Sequence, residues 1–454
     1  MLLAFEQLRA EGYIVPRRGS GNYVATELPD EVPRAGTPIR RAAPIHPELI
    51  HPELAHPGLS QRGRLLAQAR SPDRRAALAP RAFRLGTPAV DLFPSALWGQ
   101  LARECLRSVS PARLDYSLLA GLPELREAIA DQMASRGTSC TPEQVFVLAG
   151  AQRGLDLVFH LLTDAGDHVW MEDPGYPGAH GALLSAGARA ACVPVDAEGL
   201  CVGHLVEGRW LEGSREIRVA YVTPSHQFPL GVPLSLVRRR KLLSWANAAQ
   251  AWIVEDDYDC AFRYRARPLP CLHALAPDGR VIYVGTFSKT LFPALRLGFV
   301  IVPSDLIDAF TAARLATDLH PPVLEQSILA AFLLRGHYQR HVRRMQGVYA
   351  ERLEALTTAL ERSGAPLQLR PVHSGLHAVA DLEGADAESV ARAAMSRNIE
   401  VMPLSAYGYG STPDNALVLG FGSVRPAVLR VGAEQLAAAI EAVRQRPASS
   451  AGAR

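Results

Sequence analysis

The 454-residue sequence is poor in long apolar runs, in paired cysteines and in lysine, and each shortage narrows its possible function. No stretch approaches the roughly 18 consecutive apolar residues that a membrane span needs. The first residues carry Glu6, Arg9 and Glu11 instead of a secretion signal, so we expect neither a membrane span nor export. The six cysteines form no CxxC pair, which favours reduced thiols, a cytoplasmic location and no metal site.

Lysine is the most informative shortage. Of 48 basic residues only two are lysine, Lys241 and Lys289. Arginine can replace lysine on most solvated surfaces, but it stays protonated and cannot act as an amine nucleophile. Lys241 ends an arginine run at 238–240, which favours a solvated helix start. Lys289 is therefore the candidate reactive amine.

The front of the chain differs in composition from the remainder. Residues 1–85 hold 13 arginines against eight acidic residues, so the basic surplus lies there. The pattern predicts a helix over 2–11 and then a hairpin with a basic tip, together about residues 1–26, which is too small to bury a core alone. The segment 27–81 contains nine of the 34 prolines and no sustained apolar period, which predicts an extended linker.

Residues 82–447 have the composition of an α/β domain, followed by a tail at 448–454. Short apolar runs alternate with helical stretches long enough for crossovers, which predicts a mainly parallel sheet in a large lobe at about 116–320. Residues 323–445 combine a long helical segment with short strands, which predicts a smaller α/β lobe. The candidate strands are Gln144–Leu148, His168–Met171, Arg218–Thr223, Ala251–Val254, Val281–Val284 and Leu297–Val302.

The residues that follow these strands are chemically distinctive. Ligands of open α/β sheets bind at the carboxyl ends of the strands. Gly150 and Ala151 open a helix there, and such a helix start presents free N–H groups to a phosphate. The other strand ends carry a Pro-Gly turn that exposes Tyr176, the acidic run 255–259, and the loop 285–290 with Lys289. Taken singly, the Pro-Gly segment would also suit an ordinary turn, and the acidic run would also suit a solvated turn.

Together these groups match the needs of one cofactor. A phosphate needs hydroxyls, backbone amides and a guanidinium, and a carbonyl cofactor needs an amine for a Schiff base. A heterocycle with a ring nitrogen also needs a carboxylate partner and a flat stacking face. The set therefore predicts a site for pyridoxal 5′-phosphate.

The spacing Ser288-Lys289, with Arg296 seven residues later, resembles fold-type I aminotransferases over about residues 82–445. The resemblance implies that Lys289 forms the Schiff base, that Asp256 binds the pyridine nitrogen and that Tyr258 binds the phenolic oxygen. It implies that Tyr176 stacks on the ring. It also implies that Tyr116 reaches the phosphate of a neighbouring subunit, and hence a homodimer. The phosphate ligands that it implies are Gly150, Ala151, Thr286, Ser288 and Arg296.

The front of the chain resembles a second kind of module. Leu8–Tyr13 and Arg17–Val24 look like the end of the recognition helix and the wing of a GntR-type winged helix-turn-helix. With the proline-rich linker and the motifs at 223–229, 255–259 and 285–290, the whole chain resembles the MocR-type transcriptional regulators. The resemblance implies a regulator that binds promoter DNA and senses an amine, an amino acid or pyridoxal phosphate itself. The DNA contacts that it implies are Arg17, Arg18, Gly19 and Ser20.

Two departures from these families affect the expected function. A complete winged helix-turn-helix needs further helices before Met1, so we expect the chain as given to lack a competent DNA-binding domain. Many amino-acid aminotransferases carry a substrate-binding arginine where this chain has Val418. A regulator that depends on pyridoxal phosphate and an aminotransferase acting on an amino acid or amine both stay open.

Overall fold

The computed structural model describes residues 2–10, 13–17, 21–25, 58–67, 81–116, 118–203, 217–264, 269–276, 279–410 and 414–445. The chain divides into two units, Met1–His51 and Pro52–Arg454. In the first unit, helix α1 (Leu2–Ala10) precedes strands β1 (Ile14–Arg17) and β2 (Gly21–Val24), which pair antiparallel. This is the predicted helix and hairpin. Arg18, Gly19 and Ser20, at the predicted tip, lie outside the described residues.

The second unit contains an eight-stranded sheet in the order β3-β10-β9-β8-β7-β4-β5-β6. The strands β9, β8, β7, β4 and β5 are mutually parallel, whereas β10 runs antiparallel to both neighbours and β6 runs antiparallel to β5. The prediction of a mainly parallel sheet is confirmed. The bounds are β3 Val145–Leu148, β4 His168–Asp173, β5 Arg189–Asp196, β6 Gly199–Leu200, β7 Val219–Val222, β8 Trp252–Asp257, β9 Val281–Thr286 and β10 Gly298–Ile301.

Both faces of this sheet are covered, which explains why its strands read as continuous apolar runs. In β3, Val145 and Val147 pack in one cluster while Phe146 and Leu148 pack in another on the opposite face. The sequence did not predict β5, because it lies near the sheet edge and most of its side chains are only partly buried. The helices of this lobe are α3 Ser95–Arg107, α4 Pro123–Ala134, α5 Ala151–Leu162, α6 Pro177–Ala186, α7 Leu236–Ala248, α8 Leu272–Leu275, α9 Ile307–Thr317 and α10 Val323–Leu334.

The smaller lobe is built on a four-stranded antiparallel sheet in the order β11-β12-β14-β13. The long helical segment predicted from residue 323 is broken at Gly336, which has φ +68°, and its first part, α10, packs against α3 and α4 of the large lobe. The bounds are α11 His337–Ser363, β11 Leu367–Leu369, β12 His377–Leu382, α12 Ala387–Ser396, β13 Met402–Pro403, β14 Ala416–Gly420 and α13 Pro426–Arg444.

The range predicted as linker contains one described helix, α2 (Gln61–Ala67), which the proline content did not predict. Helix α2 contacts α6. Within the described ranges, no helix combines the length and the apolar character that a bilayer crossing requires.

Candidate functional site

A cavity of about 190 Å³ opens at the carboxyl ends of the parallel strands. Its wall combines the ends of β8 and β9, the start of α5, residues 85–86 and the start of β12. The predicted site residues that line it are Ala151, Tyr176, Asp256, Tyr258, Thr286, Ser288, Lys289 and Arg296. Most of the residues predicted from separate strand ends therefore meet at one site.

The Lys289 amine is held by a backbone carbonyl from a distant part of the chain. Its Nζ donates a hydrogen bond of 2.8 Å to the carbonyl oxygen of Gly86. Gly86 has φ +73°, and a Cβ added there would lie 3.0 Å from this Nζ. Lys241, in contrast, is exposed on α7, as its arginine-rich neighbours predicted.

We expect Gly86→Ala to lower the free energy of unfolding by about 1–2 kcal/mol, because an L-residue is strained at this φ. The new methyl would also displace the Lys289 amine from its carbonyl partner. Urea unfolding measures the loss. Gly181→Ala is the matched control, because Gly181 lies inside α6 and a Cβ added there would meet no atom within 4 Å outside the helix backbone. That variant should be neutral or stabilising by up to about 1 kcal/mol; equal effects of the two variants would contradict the prediction.

The acidic residues at the end of β8 alternate between two sides of the strand. Glu255 accepts hydrogen bonds from the backbone N–H groups of Leu272 (2.8 Å) and His273 (2.9 Å) at the start of α8. Asp257 forms a 2.6 Å ion pair with Arg136. Asp256, between them, lines the cavity. Side chains alternate along a strand, so only the middle carboxylate of the three faces the cavity.

The Asp256 carboxylate has one oxygen engaged and one without a partner. Its Oδ2 accepts a 2.8 Å hydrogen bond from the Tyr221 hydroxyl, whereas its Oδ1 is buried and has no hydrogen-bond partner among the described residues. Burial raises the pKa of Asp256 to about 7, against the lowering effect of the Tyr221 hydrogen bond. A buried acceptor of this kind is costly unless a donor reaches it. A protonated ring nitrogen of a bound cofactor would supply that donor.

The start of α5 and Arg296 form a cradle suited to an anion. Gly150 caps α5 with φ +91°, and the Arg296 guanidinium packs against it while donating a 3.1 Å hydrogen bond to the carbonyl of Ala149. Thr286 Oγ1 accepts a 3.1 Å hydrogen bond from the backbone N–H of Ser288. Free N–H groups at a helix start, hydroxyls and a guanidinium are the donors that phosphate prefers.

The wall of the cavity also contains residues that the sequence did not single out. The rings of Tyr176 and Phe228 meet edge to face, with centroids 5.7 Å apart. His377 lines the cavity from the small lobe, and Gly86 lines it from the start of the domain. Phe228 lies in the 223–229 motif, but no local pattern distinguished His377 or Gly86.

Tyr116 is not among the described residues that line this cavity, and Arg17 belongs to the first unit. Tyr116 is 83% exposed, between the exposed side chains of Leu114 and Leu118, so its predicted reach into a neighbouring subunit stays a prediction. Arg17 ends β1 in the first unit. The DNA contacts predicted for Arg17 and for the hairpin tip likewise stay predictions.

Val418 does not contribute a polar group to the cavity. It is fully buried in β14 and packs with Leu85, Leu404 and Tyr407. In the described part of the chain, the cavity lining contains one guanidinium, that of Arg296, and it lies at the anion cradle. The described lining therefore offers no second guanidinium for a substrate carboxylate.

The fold and site agree with a family-level comparison. The model of the aminotransferase class I and II family matches residues 86–441, so the chain belongs to this family. Its cofactor is pyridoxal 5′-phosphate, and the partnerless Asp256 oxygen, the Lys289 amine and the anion cradle fit that group.

Individual relatives narrow the assignment to the MocR-type transcriptional regulators. The probable rhizopine catabolism regulatory protein MocR of Rhizobium meliloti is 38% identical over 450 residues, 98% of this chain and 86% of that protein. The pyridoxine biosynthesis transcriptional regulator PdxR of Corynebacterium glutamicum is 34% identical over 432 residues, 93% of this chain and 83% of that protein.

A solved structure supports the same fold. The crystal structure of the α-aminoadipate aminotransferase of Thermus thermophilus, complexed with N-(5′-phosphopyridoxyl)-L-leucine, has a TM-score of 0.76 and 28% sequence identity to this chain. The similarity covers 84% of this chain and 97% of that one. The prediction of a fold-type I aminotransferase domain is confirmed.

Proposed function

We propose that this chain belongs to a regulator that binds promoter DNA where its winged helix-turn-helix is complete, and that its aminotransferase domain holds pyridoxal phosphate at Lys289 to sense an amine, an amino acid or the cofactor itself. The observation that carries the proposal is that the Lys289 amine and the partnerless Asp256 oxygen line one cavity. The DNA-binding half of the proposal rests on the relatives, which are named as transcriptional regulators.

Each group of the cavity has a task in this proposal. Pyridoxal phosphate, when bound, supplies an aldehyde that amines attack. The Lys289 amine holds the cofactor covalently, and Asp256 Oδ1 accepts a hydrogen bond from its protonated ring nitrogen. The start of α5, Thr286, Ser288 and Arg296 hold the phosphate. Tyr176 flanks the ring and Tyr258 donates to its phenolic oxygen.

Sensing is better supported than efficient amino-acid transamination. An incoming amino acid brings a carboxylate, and a strong site for it is a bidentate arginine. Val418 is apolar and buried, and the guanidinium that lines the described cavity belongs to the anion cradle. A site that accepts an amine and holds its carboxylate weakly suits a receptor in which binding, and not turnover, is the signal.

The coupling between the two halves is testable on protein that carries a complete winged helix-turn-helix. A labelled DNA fragment from the promoter region beside the gene is titrated with cofactor-free and cofactor-loaded protein, and then with added primary amines. We expect the dissociation constants of the two states to differ by about 5–150-fold, the usual range of coupling between two sites. Lys289→Ala should remove the difference. Equal affinity in all states would contradict the proposed sensing.

The hairpin supplies a control for the DNA-binding half. Replacing Arg17 and Arg18 by alanine removes two cations, so we expect weaker DNA binding in both cofactor states and a salt dependence reduced by about 2 in log–log slope. The matched control is Arg392→Ala, an exposed arginine of α12 with 71% side-chain exposure. An unchanged slope in the hairpin variant would show that these arginines do not contact phosphates.

A further inference from the structure

The 223–229 motif places a buried histidine directly behind Tyr258. His226 is 2% exposed, and its Nδ1 lies 2.9 Å and 3.1 Å from the two carboxylate oxygens of Asp259. The same Nδ1 lies 3.0 Å from the Tyr258 hydroxyl oxygen. One ring nitrogen therefore faces both a buried carboxylate and the hydroxyl of a cavity residue.

Two glycines leave room for this imidazole. A Cβ at Gly375, which has φ +81°, would overlap the ring carbon Cε1 of His226. A Cβ at Gly231, which has φ +77°, would lie 3.1 Å from Nε2. Because both backbones approach the ring so closely, His226 is fixed in one orientation.

The proton positions follow from the partners. An ionised carboxylate only accepts hydrogen bonds, so the proton between His226 and Asp259 lies on Nδ1. That N–H also faces the Tyr258 oxygen, which consequently acts as an acceptor. The proton of the Tyr258 hydroxyl must then point elsewhere, and Tyr258 lines the cavity.

We propose that His226 and Asp259 are positioning residues that aim the Tyr258 hydroxyl proton at the phenolic oxygen of the bound cofactor. This inference rests on the proposed function, because it needs pyridoxal phosphate at Lys289. Asp259 lines the cavity whereas His226 does not, and in this proposal both act through Tyr258.

The charged surroundings keep Tyr258 a donor. Burial raises the pKa of the Tyr258 hydroxyl well above its usual value, and the nearby carboxylates raise it further. The hydroxyl therefore stays protonated at neutral pH. The carboxylates responsible are those of Asp259, Asp256, Glu172 and Asp257.

Two further titratable groups lie near this pair, His377 and Tyr264. The His377 ring lies against that of His226, with centroids 4.9 Å apart. Burial, with smaller contributions from His226 and Lys289, lowers the pKa of His377 to about 4 against the raising effect of Asp259, so His377 is uncharged at neutral pH. His377 Nε2 lies 3.0 Å from the carbonyl oxygen of Pro229. The His377 ring therefore brings no positive charge beside His226.

The test follows the pH dependence of the absorbance of the cofactor bound to the full chain. A hydrogen bond to a negatively charged oxygen lowers the apparent pKa of the group that carries it, so Tyr258→Phe should raise the apparent pKa of the bound cofactor by about 1–2. His226→Phe should also raise the apparent pKa of the bound cofactor. His226→Asn should stay near wild type, because its amide N–H can replace Nδ1–H.

The double variant distinguishes positioning from a purely structural role. If His226 acts through Tyr258, the variant with both phenylalanines should have the same apparent pKa as Tyr258→Phe alone. Additive shifts, or no shift in His226→Phe, would overturn the inference. If His226→Phe does not fold, His226→Leu, which also removes Nδ1–H, should likewise raise the apparent pKa.

Two controls separate this inference from the proposed function. His273 is another buried histidine, 2% exposed and on α8 outside the cavity lining, so His273→Phe should leave the cofactor's apparent pKa unchanged. A wild-type chain that attaches no cofactor would contradict the proposed function. A wild-type chain that attaches it normally, with unshifted His226→Phe and His226→Leu variants, would contradict the inference alone.

Discussion

Lys289→Ala is expected to abolish covalent attachment of pyridoxal phosphate. The cavity wall then contains no primary amine among its described residues, because arginine stays protonated and Lys241 is exposed on α7. Borohydride reduction followed by mass spectrometry of the intact chain and of its proteolytic peptides measures the effect. Wild type should gain the mass of one reduced cofactor on the peptide that contains Lys289, and the variant should gain none.

The fold should survive this change. The Lys289 amine binds the carbonyl of Gly86 and lies at the surface of a cavity, so its loss leaves the apolar clusters intact. Lys241→Ala is the matched control and should attach cofactor like wild type. Cofactor fixed to the chain in Lys289→Ala would show that another nucleophile forms the covalent bond to the cofactor.

Asp256→Asn is expected to weaken cofactor binding by about 10–100-fold at pH 8. The change removes the negative charge that pairs with a protonated ring nitrogen, and a hydrogen bond to a charged group contributes about 1.5–3 kcal/mol. Because the pKa of Asp256 is about 7, the wild-type carboxyl itself becomes neutral at lower pH. The difference in affinity should therefore shrink as the pH falls through about 7. Equilibrium dialysis at several pH values measures it.

Glu255→Gln separates this effect from general damage to β8. Glu255 accepts two backbone hydrogen bonds at the start of α8, and an amide oxygen cannot replace both carboxylate oxygens. We expect a lower free energy of unfolding but an unchanged cofactor affinity of the folded protein. A loss of affinity equal to that of Asp256→Asn would mean that β8 as a whole, and not one carboxylate, controls binding.

The sequence was sufficient to predict those site residues that directly follow a strand. Lys289, Asp256 and Ala151 lie at strand ends, and all parallel strands of a sheet present those ends at one edge. Gly86 and His377 come from segments far along the chain, and only the packing of the small lobe brings them to the cavity. No local periodicity carries that information.

The acidic run shows a second limit. Strand alternation separates Asp256 from Glu255 and Asp257, but it does not say which side of β8 faces the cavity. That choice depends on Arg136 and the start of α8, which receive the other two carboxylates. The roles predicted for Tyr116 and the hairpin tip depend on a second chain and on DNA, so no contact within one chain could decide them.

The sequence at the end of β8 also limits which insertions and deletions the gene can tolerate within this strand. In most strands a shift of register by one residue moves apolar side chains into water, so the pattern of apolar residues specifies the register. Residues 255–257 are all acidic, and hydropathy there does not distinguish one register from the next. Losing one codon within 252–254 would bring Asp257 to the position that Asp256 occupies, and it would turn Asp256 and Tyr258 away from the cavity. The spacing between Ile253 and Asp256 should therefore be kept even in lineages whose loops vary freely in length.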